Sequence, residues 1–314
     1  MAKKMNYNIT VIIPLNDLEN LELLDKAIAS VPKGIDVIIS CKKDTDVSQI
    51  SNKGNVITES LGNTFQELVN AGVEAVKTDW FSILEFDDTY TDIWFDNVRK
   101  EIEYKPDVTM FMPLEDITDF NNGKYIGFGN EAPWASAFSN EIGYIDLECL
   151  QSYFDFYVTG SVFNVKDWNE IGGLKPHIKV TFWYEWMLRA ANKPKKIYVV
   201  PKVGYNHTLG RNGSLTETYK KEITEWNHSK EYSNDSINYF INRIDGSIVA
   251  ELHIDGGFEY YACSDVQMMK NALGNYLGCK KSDALNGQEA NIMVYDHEHQ
   301  AERTVSLNDE IYLD

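Results

Sequence analysis

Two adjacent aspartates, Asp87 and Asp88, close the run WFSILEFDD, in which an apolar stretch from Trp80 to Leu84 gives way abruptly to Glu85, Phe86 and the acid pair. Carboxylate oxygens are hard ligands. A magnesium or manganese ion accepts two or three of them while keeping positions open for phosphate oxygens, so acids at the end of a buried run can anchor a cation together with a diphosphate. The competing reading is a solvated acidic turn in a chain that is acidic throughout. A second polar group follows in GYNHTLGRNGSL, where Arg211 can grip a diphosphate with its planar fork or simply cap a surface turn. His297 and His299 in DHEHQ form a weaker metal-like cluster and read as an exposed charged turn.

Composition limits what such a site can serve. The 314 residues exceed the range over which one hydrophobic core keeps growing, so a large domain followed by a smaller one is expected. A net charge of −19 argues against nucleic acid as partner, because that affinity comes from clustered Lys and Arg displacing counterions. The four cysteines, Cys41, Cys149, Cys263 and Cys279, are widely spaced and form no CxxC pair, which points away from a zinc site or a disulfide framework and towards a reducing cytoplasm. The N-terminal MAKKMNYNITVIIPL lacks the length and cleavage site of a secretory signal, and no stretch reaches the ~20 apolar residues that span a bilayer. Seven tryptophans and 18 tyrosines suit a carbohydrate-facing surface or a protein interface equally.

The elements that must hold these residues follow from periodicity. Residues 7–15 read as a buried strand, LENLELLDKAIASV as a helix, 35–40 and 55–60 as further strands, and 64–77 as an amphipathic helix before the WFSIL strand. Strands alternating with helices imply parallel βαβ units, whose ligands collect outside the carboxyl ends of the strands, where the acids of residues 85, 87 and 88 fall. Beyond them come a helix at TDIWFDNVRKEIEY, a strand at 108–114, a long loop over 119–140 and a strand-like entry to YVTGSVFNVKDWNEIGGL. The helix FWYEWMLRAANKPKK, ending near Pro194, and the strand IYVVPKVGYNHT complete this part. A connecting helix at YKKEITEWNHSKEY marks the boundary. Domains are expected at 1–225 and 226–314, the second a small α+β module with strands at SIVAELHI, FEYYAC, ANIMVY and TVSL and a helix at SDVQMMKNALGNYL.

With that order in place, VIIPLN, VNAGVEAVKTDWFSILEFDD and SVFNVKDWNEIGGL resemble the opening strand, the NAG-to-aspartate stretch and the acceptor-side Gly-Gly segment of inverting, family 2-like GT-A glycosyltransferases. The resemblance covers residues 7 to about 215, and tailed phages encode similar chains. It implies a GT-A, Rossmann-like α/β fold with a mixed sheet flanked by helices. It also implies a nucleotide-sugar donor, a UDP-sugar, and a divalent metal, Mn or Mg, bound by Asp87 and Asp88 with Glu85 as an outer candidate and His207 completing the shell. The metal would neutralise the charge that develops on the departing nucleoside diphosphate. Pro14, Asn16, Ser40, Asp44, Asn70 and Arg211 are the candidates on the nucleotide side, with Asn70 and Gly72 suited to a tight helix-to-strand geometry.

The chain departs from the pattern in two places. Where the family carries an acidic pair that supplies the general base for the acceptor hydroxyl, this sequence has Phe182 and Trp183, and the nearest acid is Glu185. Glu185 is therefore the candidate base, against the alternative that it pairs with Arg189 four residues on. After the second strand, SCKKD offers Ser40 and Cys41 where the family places an acid. Trp134, Phe182, Trp183, Tyr184 and Trp186 are candidates to stack on sugar rings, Trp134 foremost because it stands in a loop. Two functions follow: a metal-dependent transferase moving a sugar to a carbohydrate or protein hydroxyl, or a non-catalytic GT-A-shaped binding or structural module, as in a phage particle. The C-terminal domain would serve homo-oligomer or virion assembly, and the chain would lie in the host cytoplasm or the virion.

Overall fold

The computed structural model describes residues 7–16, 20–50, 56–135, 139–146, 149–150, 156–176, 182–193 and 195–218, and the backbone of five later strands. Ten strands form one mixed sheet: β1 (Ile9–Leu15), β2 (Asp36–Lys42), β3 (Val56–Ser60), β4 (Trp80–Ile83), β5 (Thr89–Tyr90), β6 (Val108–Asp119), β7 (Tyr125–Gly129), β8 (Tyr144–Ile145), β9 (Val162–Asn164) and β10 (Lys196–Leu209). The order is β3-β2-β1-β4-β9-β6-β10-β5, with β7 on β6 and β8 on β10. The pairs β3–β2, β2–β1, β1–β4 and β6–β10 are parallel, while β9 runs antiparallel to both of its neighbours.

Alternation along the strands sends side chains to two cores. Ile12, Phe81, Ile83, Met110 and Met112 face α2 (Phe65–Glu74), α4 (Val165–Ile171) and α5 (Phe182–Asn192), among which Val69, Trp168 and Trp186 are buried. Val11, Ile13, Val37 and Ile39 face α1 (Leu21–Ser30) and α3 (Trp94–Tyr104), through Leu24, Ala27, Phe95 and Val98. This is the α/β architecture with helices on both faces that the alternating pattern predicts. α3 lies between α2 and α4 in sequence, and a single-turn helix, α6 (Leu215–Thr218), follows β10.

Local sequence explains the element ends. Thr64 and Glu67 make a reciprocal capping box that starts α2, and Asn20 caps α1. Gly72 lets α2 sit directly on β1, since a Cβ there would lie 2.4 Å from Ile12 Cγ2. One expectation is corrected, and one segment gains a helix. The loop of 119–140 is in part a hairpin: β6 runs twelve residues beside β10, as far as Asp119, β7 pairs back onto its Glu115–Thr118 stretch, and the turn between β6 and β7 is held by Asp119 Oδ1, which accepts from Asn121 N (2.9 Å) and Asn122 N (3.1 Å). VKDWNEI is the helix α4, capped by Asn164, whose side chain accepts from Asp167 N at 3.1 Å.

Further along, β11 (Asn242–Ile244), β12 (Ser247–Ile254) and β13 (Gly257–Cys263) form an antiparallel sheet, and β14 (Asn291–Asp296) pairs with β15 (Ala301–Ser306). The expected connecting helix, the helix at SDVQMMKNALGNYL, the domain boundary at 225/226 and the pair His297 and His299 lie outside the described residues. No described helix is long and apolar enough to cross a membrane.

Candidate functional site

β1 and β4 pair in parallel, Ile9 opposite Trp80 through Ile12 opposite Ile83, so Pro14 to Asn16 and Glu85 to Asp88 leave the sheet at the same edge. The acidic segment is a tight turn in which Asp88 N donates to Glu85 O (3.2 Å). β10 pins that turn from the other side. Glu85 N donates to the Tyr205 hydroxyl (3.0 Å), and Asp88 Oδ1 accepts from Thr208 N (2.8 Å) and Thr208 Oγ1 (3.0 Å). Tyr205 is itself seated beside Gly160, whose φ of +79° and lack of a Cβ leave room for the tyrosine ring.

A cavity of ≈ 200 Å³ opens at this edge. The end of β4 and the exit of β10 contribute Glu85, Asp87, His207 and Arg211 to its lining, while α2 and α5 contribute Phe65, Phe182 and Trp183. Pro14 and Asn16 line it as well. Arg211 Nε donates to Asp87 Oδ2, and its guanidinium lies 4.6 Å from the centre of the Phe86 ring, so the cation is held on both sides.

Beneath the cavity is an inner acid cluster. Asp88 Oδ2 and Glu115 Oε2 each stand 3.4 Å from His207 Nδ1. Among the described residues those three atoms and Glu115 Oε1 are buried without a hydrogen-bond partner. Burial, reinforced by the negative charge of Asp87, raises the Asp88 carboxyl well above its ordinary value, and burial followed by Asp88 and Glu85 does the same to Glu115. Burial and the Asp88 and Asp87 charges push Glu85 up to about 8. Burial lowers His207 despite the Glu85 and Asp87 charges around it, which favours the neutral ring. The cluster thus keeps its protons to higher pH than ordinary carboxylates do.

Partnerless buried oxygens beside an imidazole nitrogen have the donor chemistry that a divalent cation satisfies. As the side chains stand, however, no group of three His, Cys, Asp or Glu among the described residues could hold a metal ion. Asp87, which lines the cavity with Glu85, is engaged by Arg211, and Asp88 is turned inward with 2% of its surface exposed. The residues suit a metal in kind, and Arg211 engages one of the two Asp87 carboxylate oxygens, Oδ2.

The structure brings together Pro14, Asn16, Asp87, His207 and Arg211, with Asp88 directly below. It does not bring Glu185, Ser40, Asp44 or Asn70 to the cavity lining. Glu185 is 1% exposed and held by Arg189 through two bonds, Nε to Oε1 (2.8 Å) and Nη2 to Oε2 (3.0 Å), because its helical phase points it into the core. A base must reach the acceptor proton, and this carboxylate is turned away from the cleft. Ser40 is fully buried opposite Pro14 in the β1–β2 ladder, and Asp44 stands exposed in a left-handed turn with φ 66°. Asn70 binds Leu174 twice, Nδ2 to O (2.8 Å) and Oδ1 from N (2.9 Å), clamping the Gly-Gly segment.

The aromatic candidates divide in the same way. Trp134 donates to Val199 O, Tyr184 to Leu150 O and Trp186 to Gly172 O, all outside the cavity, whereas Phe182 and Trp183 line it. Sequence reading missed Glu115, Phe65 and Tyr157, whose ring centre is 5.2 Å from that of His207. The signal for Glu115 was present: VTMFMPLED, like WFSILEFDD, is an apolar run that ends in acids.

No protein-family model matches the sequence, and no curated protein matches it. Solved structures do. TarS 1–349 of S. aureus in complex with UDP-GlcNAc superposes with a TM-score of 0.51 at 15% identity, covering 77% of this chain and 75% of that one. A second structure of TarS 1–349 gives 0.49 at 15% identity (77% and 74%), and a longer TarS chain 0.49 at 14% identity (74%), of which this chain spans only 42% of the length. At such identity the likeness is one of fold: the chain has a GT-A fold, a mixed sheet flanked by helices.

Proposed function

We propose that this protein binds a nucleotide sugar, a UDP-sugar in the first instance, in the cavity at the ends of β1 and β4, and transfers the sugar to a carbohydrate or protein hydroxyl. The observation that carries this reading is the meeting of Asp87, His207 and Arg211 with Pro14 and Asn16 at one strand-end cavity, in a fold shared with a UDP-GlcNAc-bound protein. Arg211 meets the diphosphate through its Nη groups. A divalent cation, Mn or Mg, would be held by Asp87 with His207, Asp88 lying behind, and would supply charge neutralisation for the leaving diphosphate. Asp88 and Tyr205 fix the turn that presents Asp87, and the aromatic side of the cavity limits water around the reacting centre.

A second reading, binding without transfer, is favoured by one observation: the cavity-lining acids are Glu85 and Asp87, both at the diphosphate end, and Trp183 occupies the wall where a base would face an acceptor. Calorimetric titration with UDP and UDP-GlcNAc, with and without manganese, followed by measurement of UDP release, separates the two. Saturable binding lost in Asp87→Ala supports the site, and UDP release on top of it supports the transferase. A folded protein that binds neither ligand with or without manganese ends both readings.

A further inference from the structure

The cavity has two chemically different halves. Glu85 and Asp87 offer carboxylate oxygens, while Phe65, Phe182 and Trp183 offer ring surface. Trp183 is half-buried and stiffly held: it stacks on Phe163 (centroids 5.8 Å, planes 19° apart), meets Trp168 edge-on (6.3 Å, 64°) and touches Phe182 (5.6 Å) and Phe65 (6.3 Å). Phe65 and Phe182 also contact each other at 5.6 Å. The wall is thus prepared before any ligand arrives and loses little rotamer freedom on contact. Its rings come from two helices, α2 and α5, whose positions are set by the core.

We propose that this wall is a platform for a pyranose ring, with Trp183 as its specificity-determining residue. A pyranose carries an apolar C–H face and a rim of hydroxyl donors. The first matches an aromatic surface and the second matches carboxylate acceptors in the same cavity, a pairing that a flat nucleobase, poor in donors, does not need. The inference rests on the donor-binding reading of the Asp87 end, and the ring itself can come from the donor's sugar or from an acceptor glycan.

The test uses the full chain and three probes, UDP, UDP-GlcNAc and free chitotriose, titrated into wild type, Trp183→Phe and Trp183→Leu, with near-ultraviolet circular dichroism as the folding control. If the donor's sugar uses the platform, wild type binds UDP-GlcNAc about 2- to 10-fold tighter than UDP, the range that one aromatic contact supplies. Trp183→Leu then abolishes that margin without changing UDP affinity, and Trp183→Phe keeps most of it. If an acceptor glycan uses it, chitotriose binding is the quantity that follows the same order. Equal weakening of UDP and UDP-GlcNAc in Trp183→Leu makes the wall a nucleobase clamp and overturns the proposal, as does indifference of all three probes to residue 183. Should wild type fail to bind UDP at all, the donor reading falls, while the chitotriose series, which needs no nucleotide, still decides the platform.

Discussion

Replacing Glu185 by glutamine separates a structural from a catalytic role for the acid nearest the expected base position. Arg189 is fully buried and makes five hydrogen bonds: two to Glu185, and three to the carbonyls of Ile171 (2.8 Å), Gly172 (3.0 Å) and Gly173 (2.8 Å). The Gln amide keeps one acceptor but turns its NH₂ towards a guanidinium that only donates, and it leaves a buried cation without a counter-charge. Breaking such a pair from one side costs about 3–5 kcal/mol. With roughly 2–4 °C per kcal/mol for a domain of this size, the melting temperature should fall by about 6–20 °C. Below the transition, UDP-sugar affinity and turnover per folded molecule should stay within about twofold of wild type, which corresponds to less than about 0.5 kcal/mol. Differential scanning fluorimetry, with donor titration and UDP release at 15 °C, measures these three quantities. An unchanged melting temperature together with lost turnover would refute the reasoning and restore Glu185 as the base. A Glu185→Met/Arg189→Met double variant should recover only part of the stability, because three carbonyls at and after the end of α4 then lose their donor.

Three further outcomes follow from the site. Glu85, Asp88 and Glu115 have raised carboxyls in the folded state, so they hold protons there that the unfolded chain has already released; their contribution is full below the unfolded values and fades as pH rises, for Glu85 through about 8. Stability without added metal should therefore decline from pH 5 to pH 8, by about 1.4 kcal/mol per pH unit for each proton released on unfolding, with lowered His207 opposing at the acidic end; a melting temperature that climbs over that range contradicts the cluster. Arg211→Ala should bind manganese more tightly and UDP more weakly than wild type, because Asp87 is released while the diphosphate loses its cation, and calorimetry showing both affinities unchanged would remove Arg211 from the site. Gly160→Ala places a Cβ 2.4 Å from Tyr205 Cδ2 at a φ of +79°, so it should cost about 1–3 kcal/mol in chemical denaturation and disturb donor binding through the Tyr205–Glu85 bond; a neutral effect would show that β10 does not position the acidic turn.

The order of strands and helices was legible because it rests on local periodicity: Ile9–Leu15 and Trp80–Ile83 are apolar throughout, and Phe65–Glu74 carries its own capping box. The acidic turn after β4 was legible for the same reason, as a sharp change from apolar to charged at a strand end. Element ends that depend on a partner were not. β6 extends to Asp119 because β10 pairs with it that far, Leu209 opposite Asp119, and β7 covers its other edge over Glu115–Thr118; neither YIGFG nor VTMFMPLED carries enough alternation to announce these pairings.

For the site, the sequence determined which chemistry was available, and the tertiary structure decided which groups could use it. Asp87 and Asp88 are neighbours in the chain, yet one lines the cavity and the other points inward to Thr208, 120 residues away, and to His207. Glu185 and Trp183 share one turn of α5, and helical phase sends the carboxylate into the core and the indole to the cavity. Glu115 joins the cluster because β6 and β10 pair in parallel with Tyr205 opposite it. Side-chain direction is set by strand register and helix phase against partners distant in sequence, and that information is absent from any short motif.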